Sequence, residues 1–192
     1  MNSTAQTREP GSRGCVILDR DGVINHDSPD YIRTPEQWRP IEGSVEAIAA
    51  LGAAGFMPVV VSNQSGVGRG LLTAAILQRI HARMSEAVAV AGGRLGGIYH
   101  CPHTPEEGCG CRKPAPGLVR QMERELGYRA QGAPLIGDKE SDLDLARRVG
   151  ARPILVRTGY GATTLSKLDD PAVEVYSNLA EATAALIMEA LT

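Results

Sequence analysis

Charge of one sign is missing from this 192-residue chain: 20 Lys and Arg stand against 22 Asp and Glu, a formal net of −2. That balance argues against nucleic acid or an anionic membrane as partner and favours small soluble molecules. Long apolar runs are missing too, and none reaches the roughly 20 residues that a membrane span needs. Residues 1–13 carry Ser, Thr, Gln, Arg, Glu, Pro and Gly with no apolar segment, so they read as a flexible tail and not as a signal peptide. A cytoplasmic location is expected. Repeats, low-complexity tracts and long linkers are absent, which predicts a single domain over residues 14–192, taken by default as a monomer. What is there is globular: 43% hydrophobic and 22% charged residues suffice for a core that needs no staples.

Strand-like and helix-like runs alternate along the chain. Cys15 to Leu18, Met57 to Val61, Gly97 to His100, Pro134 to Ile136, Pro153 to Val156 and Val173 to Tyr176 read as strands. Helices are predicted from Ser44 through Leu51, after the N-cap Thr73 (with Leu77, Ile80, Met84 and Val88 at helical spacing), from Pro116, from Glu140 to Val149, and from Asn178 to Leu191. Alternation with short turns implies a three-layer α/β sandwich around a mainly parallel, Rossmann-like sheet. The segment from Gly159 to Pro171 reads as a surface loop.

Polar residues gather where these strands end. Asp19-Arg20-Asp21-Gly22-Val23-Ile24-Asn25 follows the first run and brings two carboxylates two positions apart. A bend at Arg20 can aim one carboxylate and the next residue's carbonyl at one cation, and Mg²⁺ suits such hard oxygen donors. The pair alone could equally cap a turn. After Val61 comes Ser62-Asn63-Gln64-Ser65-Gly66-Val67-Gly68-Arg69-Gly70, a hydroxyl and a glycine-rich turn whose amides could meet an anion, although such turns also occur for conformational reasons alone. Gly137-Asp138-Lys139-Glu140-Ser141-Asp142 brings further carboxylates to the same edge. Arg112-Lys113-Pro114-Ala115-Pro116-Gly117 places two cations before a helix start that also favours anions. Acid for Mg²⁺ and base for phosphate thus converge.

Cysteine is scarce at four residues, and three of them fall between positions 101 and 111 with one histidine. Cys101, His103, Cys109 and Cys111 form a C-x-H…C-x-C set that suits tetrahedral Zn²⁺ in a structural site, since four protein ligands leave no open position. A local disulfide is the competing reading, but a C-x-C pair bridges poorly with itself. Cys15 sits in the first strand, where an inert buried thiol is the default. His26, His81 and His100 read first as ordinary loop or structural residues, and Trp38 as an anchor for the first long loop.

The order of these motifs resembles the haloacid dehalogenase-like phosphohydrolases, whose DxDx(T/V), strand-end Ser or Thr, Lys, and GDxxxD correspond here to Asp19 to Val23, Ser62, Lys113, and Gly137-Asp138 to Asp142. The resemblance implies Asp19 as nucleophile, Asp21 as general acid and base, Ser62 and Lys113 on the phosphoryl oxygens, and Mg²⁺ on Asp19, the Asp21 carbonyl and Asp138, with Asp142 holding a metal-bound water or Lys139. The Ser62-Asn63-Gln64-Ser65-Gly66 and Cys111-Arg112-Lys113-Pro114-Ala115-Pro116-Gly117 stretches, with the zinc loop over 101–111, are similar to a subgroup that acts on heptose 1,7-bisphosphate or histidinol phosphate. That likeness implies no separate cap domain, a phosphorylated sugar as substrate, and heptose 1-phosphate as a precursor of ADP- or GDP-heptose and lipopolysaccharide or another surface glycan. It also implies substrate contacts from Asn25, Asp27, Asp30, Ser62, Asn63, Gln64, Ser65, Arg112, Lys113 and Lys139. Arg112 would favour a second phosphate, whereas Asp27 or Asp30 could receive the cationic group of histidinol phosphate. A zinc-stabilised binding protein without turnover is the alternative of another class.

Overall fold

A computed structural model describes residues 13–192; the expected N-terminal tail, apart from Arg13, lies outside the described residues. Six strands, β1 (Gly14–Leu18), β2 (Phe56–Asn63), β3 (Gly97–Cys101), β4 (Pro134–Gly137), β5 (Arg152–Val156) and β6 (Glu174–Tyr176), form one sheet in the order β3-β2-β1-β4-β5-β6. Every paired register in it is parallel. Six helices accompany them: α1 (Ser44–Ala53), α2 (Ala74–Val90), α3 (Gly117–Leu126), α4 (Glu140–Val149), α5 (Gly161–Leu165) and α6 (Leu179–Leu191).

The strands' two-residue period decides which helices lie on which face. Val16 and Leu18 of β1 point into a cluster with α1, α2 and α6, while Cys15 and Ile17 point into a second cluster with α3 and α4. Leu77, Ile80, Met84 and Val88 of α2 are fully buried, each contributing roughly 1.5–3 kcal/mol of hydrophobic stabilisation. The Thr73 hydroxyl accepts the Ile76 N–H and so caps that helix, as its sequence predicts. Asn178 does the same for α6 through Glu181.

The chain runs outward from β1 to β3, then returns to the other side of β1 to lay down β4. That reversal opens a crevice at the carboxyl ends of β1, β2 and β4, where ligands bind in open α/β sheets. Among the described residues no separate cap module stands over the crevice; the loop after β1 and the Cys/His loop after β3 border it. One expectation is corrected here. The stretch from Gly159 to Pro171 is not only surface loop, because it contains α5, whose first residue Gly161 is buried.

Candidate active site

Asp19 follows β1 directly, and its N–H donates to the Ile136 carbonyl of β4 (2.9 Å). The chain then doubles back, with the Ile24 and Asn25 N–H groups both donating to the Arg20 carbonyl at 2.9 and 3.2 Å. Gly22 turns through φ +87°, and a Cβ there would lie 2.2 Å from Asp138 Oδ2. Gly159, at φ +58°, meets the same oxygen from the other side, where a Cβ would stand 2.3 Å away. Both positions need the left-handed backbone and the missing side chain that only glycine provides.

Asp19, Asp138 and Asp142 converge, with one carboxylate oxygen from each inside 4.8 Å of the others, and all three are buried. Lys113 enters this cluster from the loop after β3. Its ammonium lies 2.8 Å from Asp19 Oδ1 and 2.6 Å from Asp142 Oδ1 and donates to the Val61 carbonyl at 2.9 Å. Burial opposes the Lys113 charge, but Asp142 and Asp19 outweigh it and raise the group above its ordinary value. Asp142 Oδ2 accepts the Lys139 N–H (3.0 Å). Asp142 therefore anchors the Lys113 ammonium and the first turn of α4, while the Lys139 ammonium goes to Asp27 (3.0 Å) and Asp138 (3.2 Å) and lies 5.0 Å over the Tyr160 ring. Burial, and then the charge of Asp19, push Asp138 up to about 7. With Asp27, which shares Lys139, four carboxylates face two ammonium groups, so negative charge is left over. That surplus on an all-oxygen donor set fits a hard divalent cation such as Mg²⁺.

Asp21 is turned away from that cluster. Arg20 grips its carboxylate from Nε to Oδ1 (2.9 Å) and from Nη2 to both oxygens (2.8 Å each), Asn25 Nδ2 donates to Oδ1 (2.9 Å), and Gln64 Nε2 donates to Oδ2 (2.8 Å). Burial works against the charged form, yet the Arg20 cation and these donors hold Asp21 below the usual carboxylate range.

A cavity of about 300 Å³ opens over these groups, lined by Asp19, Asp21, Asp27, Asn63, Gln64, Arg112, Lys113 and Lys139 among the residues expected at the site. Four expected substrate contacts are not on its wall. Asn25 is fully buried, its Nδ2 spent on Asp21 and the His26 carbonyl and its Oδ1 on the Trp38 indole (2.9 Å), so it braces Asp21 and has no free face. Ser62 and Ser65 are closed in, Ser62 Oγ accepting from Gln64 Nε2 (2.9 Å). Asp30 is exposed outside the cavity, because the loop turns at Tyr31 (φ 63°) and directs Tyr31 and Ile32 inward instead. Asn63 is on the wall, but its amide exchanges two bonds with the Lys113 backbone (2.9 and 3.1 Å) and so sets that lysine's place. The sequence reading missed three supports from the β5–α5 segment: Tyr160 N–H donates to Asp138 Oδ2 (2.8 Å), Thr164 Oγ1 to the Asp138 carbonyl (2.7 Å) and Thr158 Oγ1 to the Gly22 carbonyl (2.6 Å). A larger cavity of about 620 Å³ lies at the opposite edge of the sheet, far from this chemistry.

The Cys/His loop closes into a tetrahedron. Cys101 Sγ lies 3.5 Å from His103 Nδ1, 3.5 Å from Cys109 Sγ and 3.3 Å from Cys111 Sγ; Cys111 Sγ lies 3.3 Å from His103 Nδ1 and 3.4 Å from Cys109 Sγ. Metal–ligand lengths of about 2.1–2.3 Å around one ion would give edges of about this size, so the four could hold Zn²⁺. No cysteine is in a disulfide. The loop is tied to the crevice: Gln64 N–H donates to the Cys101 carbonyl (2.7 Å) and Arg112 Nη1 to the His103 carbonyl (3.3 Å).

A family model described as HAD-hydrolase-like matches residues 110–182. The crystal structure of D,D-heptose 1,7-bisphosphate phosphatase from Bordetella bronchiseptica, complexed with magnesium and phosphate, is similar with a TM-score of 0.88 and 41% identity, covering 92% of this chain and 99% of that one. The fold is that of the haloacid dehalogenase-like hydrolases. The D-glycero-beta-D-manno-heptose-1,7-bisphosphate 7-phosphatase of Pseudomonas aeruginosa is 47% identical over 92% of this chain and 99% of its own length. The D-glycero-alpha-D-manno-heptose-1,7-bisphosphate 7-phosphatase of Mycobacterium tuberculosis is 41% identical over 73% of this chain and 75% of that one. The chain belongs to the family of heptose-1,7-bisphosphate 7-phosphatases.

Proposed function

We propose that this protein removes the 7-phosphate of D-glycero-β-D-manno-heptose 1,7-bisphosphate in a Mg²⁺-dependent reaction, giving heptose 1-phosphate for nucleotide-activated heptose and surface glycan. The observation that carries the reading is the Asp19–Asp138–Asp142 cluster with Lys113 between Asp19 and Asp142, in a chain so similar to a phosphatase solved with magnesium and phosphate. An Asp19 oxygen attacks phosphorus and the ester P–O bond breaks, leaving an aspartyl phosphate. Asp21, ionised beside Arg20 in the free protein, takes a proton from solvent as substrate enters, gives it to the departing alkoxide, then takes one from the water that cleaves the phosphoenzyme, which restores Asp19 and releases phosphate. Lys113 donates to the transferring oxygens and offsets repulsion between the anionic nucleophile and the anionic substrate, while Ser62, closed in beneath the cavity, braces Gln64. Asp19, Asp138 and the Asp21 carbonyl would hold Mg²⁺, which when bound neutralises charge on the phosphoryl group. Below about pH 7 a proton competes with the cation for Asp138.

Arg112, Lys139 and Asp27 would meet the sugar and its second phosphate. Asp27 is already paired with Lys139 and Asp30 stands outside the cavity, so no free carboxylate among these awaits the cationic group of histidinol phosphate. The β anomer follows the higher identity to the β-named relative. Phosphate release with Mg²⁺ should give the highest kcat/KM for the β heptose bisphosphate, compared in parallel with the α anomer and histidinol phosphate. Histidinol phosphate winning would overturn the sugar reading while keeping the same catalytic residues.

Zn²⁺ on Cys101, His103, Cys109 and Cys111 would be structural, holding Arg112 and Gln64 at the crevice through the loop carbonyls. Cys109→Ser should lower bound zinc measured by mass spectrometry, with increased amide exchange over residues 101–111, and activity should fall only as a consequence. Zinc retained at the parent level would break the four-ligand set. A monomer in the cytoplasm remains the expected state. Four free thiols suit a reducing compartment, and no helix among the described residues is long and apolar enough to cross a membrane.

A further inference from the structure

We propose that Arg20 and His81 form a buried two-residue support that fixes the orientation of the Asp21 carboxylate, so that Arg20 is a positioning residue of the proton-transfer step. The proposal rests on Asp21 serving as the general acid described above.

Arg20 is an unusual residue to find at 1% exposure, because a buried guanidinium is costly unless every donor has a partner. Its partners explain why it is tolerated. Nε and Nη2 make three hydrogen bonds to Asp21 at 2.8–2.9 Å, and the remaining Nη1 lies 3.4 Å from His81 Nε2. A guanidinium can only donate, so His81 must present a lone pair on Nε2 and carry its proton on Nδ1. That requires a neutral imidazole. Burial, and then the neighbouring Arg20 charge, push His81 down to about 3, which keeps it neutral at any working pH. His100 of β3 packs against His81, ring edge to face, with centroids 5.3 Å apart. The row His100–His81–Arg20–Asp21 therefore links strand, helix and catalytic loop.

The consequence lies at the carboxylate. Oδ1 receives three donors (Arg20 Nε, Arg20 Nη2 and Asn25 Nδ2), whereas Oδ2 receives two (Arg20 Nη2 and Gln64 Nε2). A planar fork fixes the plane of the carboxylate as well as its distance, which a lysine ammonium cannot do. Oδ2 meets fewer donors than Oδ1, and it carries the transferred proton once Gln64 Nε2, its one donor outside the fork, gives way. Proton transfer needs that oxygen within hydrogen-bond reach of the ester oxygen, so loss of the fork should harm the acid step more than binding.

The test uses two phosphate monoesters, p-nitrophenyl phosphate, whose leaving group departs without a proton, and an alkyl ester such as glycerol 2-phosphate, whose leaving group needs one. Because kcat/KM covers only the steps through departure of the alcohol, it isolates the acid. Asp21→Asn should lose far more kcat/KM on the alkyl ester than on the aryl ester, which checks the underlying role of Asp21. Arg20→Lys should show the same selectivity, losing roughly tenfold to a hundredfold on the alkyl ester through kcat, with KM and the aryl reaction changed less than about threefold. His81→Leu should follow Arg20→Lys, and His81→Gln, which restores an acceptor, should recover most of the loss. Equal losses on both esters in Arg20→Lys, or none on either, would overturn the proposal while leaving the Asp21 reading standing. Equal losses in Asp21→Asn would overturn both. Should Arg20→Lys fail to fold, the contrast between His81→Leu and His81→Gln decides the matter: indifference of the alkyl reaction to the acceptor overturns the support.

Discussion

Asp19→Asn should lower kcat by about 10⁴-fold or more, the scale of losing the nucleophile in covalent enzymes, and leave the protein no less stable than the parent. The two halves of this expectation come from the same geometry. An amide cannot form the aspartyl phosphate, so the chemical step is lost. Yet Asp19 shares a buried space with Asp138 and Asp142, and its charge adds to the burial that raises both of them above their ordinary values. Removing it relieves that repulsion. The amide oxygen can still accept from the Lys113 ammonium, which keeps its partner Asp142 at 2.6 Å. Thermal unfolding should therefore show an unchanged or raised midpoint while phosphate release disappears. Retention of more than about a tenth of the rate would remove Asp19 as nucleophile, and a clearly lowered midpoint would show that its pairing with Lys113 matters more than carboxylate crowding.

Much of this site was legible because strand ends are written locally. Asp19 and Asp138 each follow a short apolar run, and parallel pairing then brings the runs together without further instruction from sequence. Cys101, His103, Cys109 and Cys111 were legible for the same reason, since ligands to one ion must lie close and these lie within one loop. What sequence could not show was direction. Asn25 and Gln64 carry amides that serve equally well facing a sugar or facing Asp21, and only the packed loop shows both turned inward. Asp30 and Tyr31 sit in irregular backbone with no period, so nothing in the sequence marks which of them points into the cavity. The supports beneath Asp138 come from Tyr160 and Thr164, more than 20 residues away in the chain. Short α5 has too few residues to reveal a helical period. Arg20 reads from sequence only as the bend between two aspartates, and its burial follows from the doubling back of the loop after β1.

Lys113→Met should destabilise the protein by about 3–5 kcal/mol at pH 8 without Mg²⁺, the usual cost of removing one partner from a buried ion pair. Methionine fills a similar volume, so lost packing contributes little, and the effect belongs to the charges. Asp19 and Asp142 would then face each other in the interior with no ammonium between them. Protonation offers them an escape. Asp142 already lies above its ordinary value of 3.8, because burial and Asp19 outweigh the lowering by Lys113, and losing the lysine removes the lowering contribution. A carboxylate raised in the folded state binds more protons there than in the unfolded chain, so the penalty is fully present above the folded value and fades as pH falls toward 3.8. Chemical denaturation of parent and variant should accordingly differ much less at pH 5 than at pH 8. Added Mg²⁺ should narrow the gap at pH 8, since a divalent cation restores positive charge among the same oxygens. A penalty independent of pH and of Mg²⁺ would mean that lysine supports this core through packing and its bond to the Val61 carbonyl, and not through its charge.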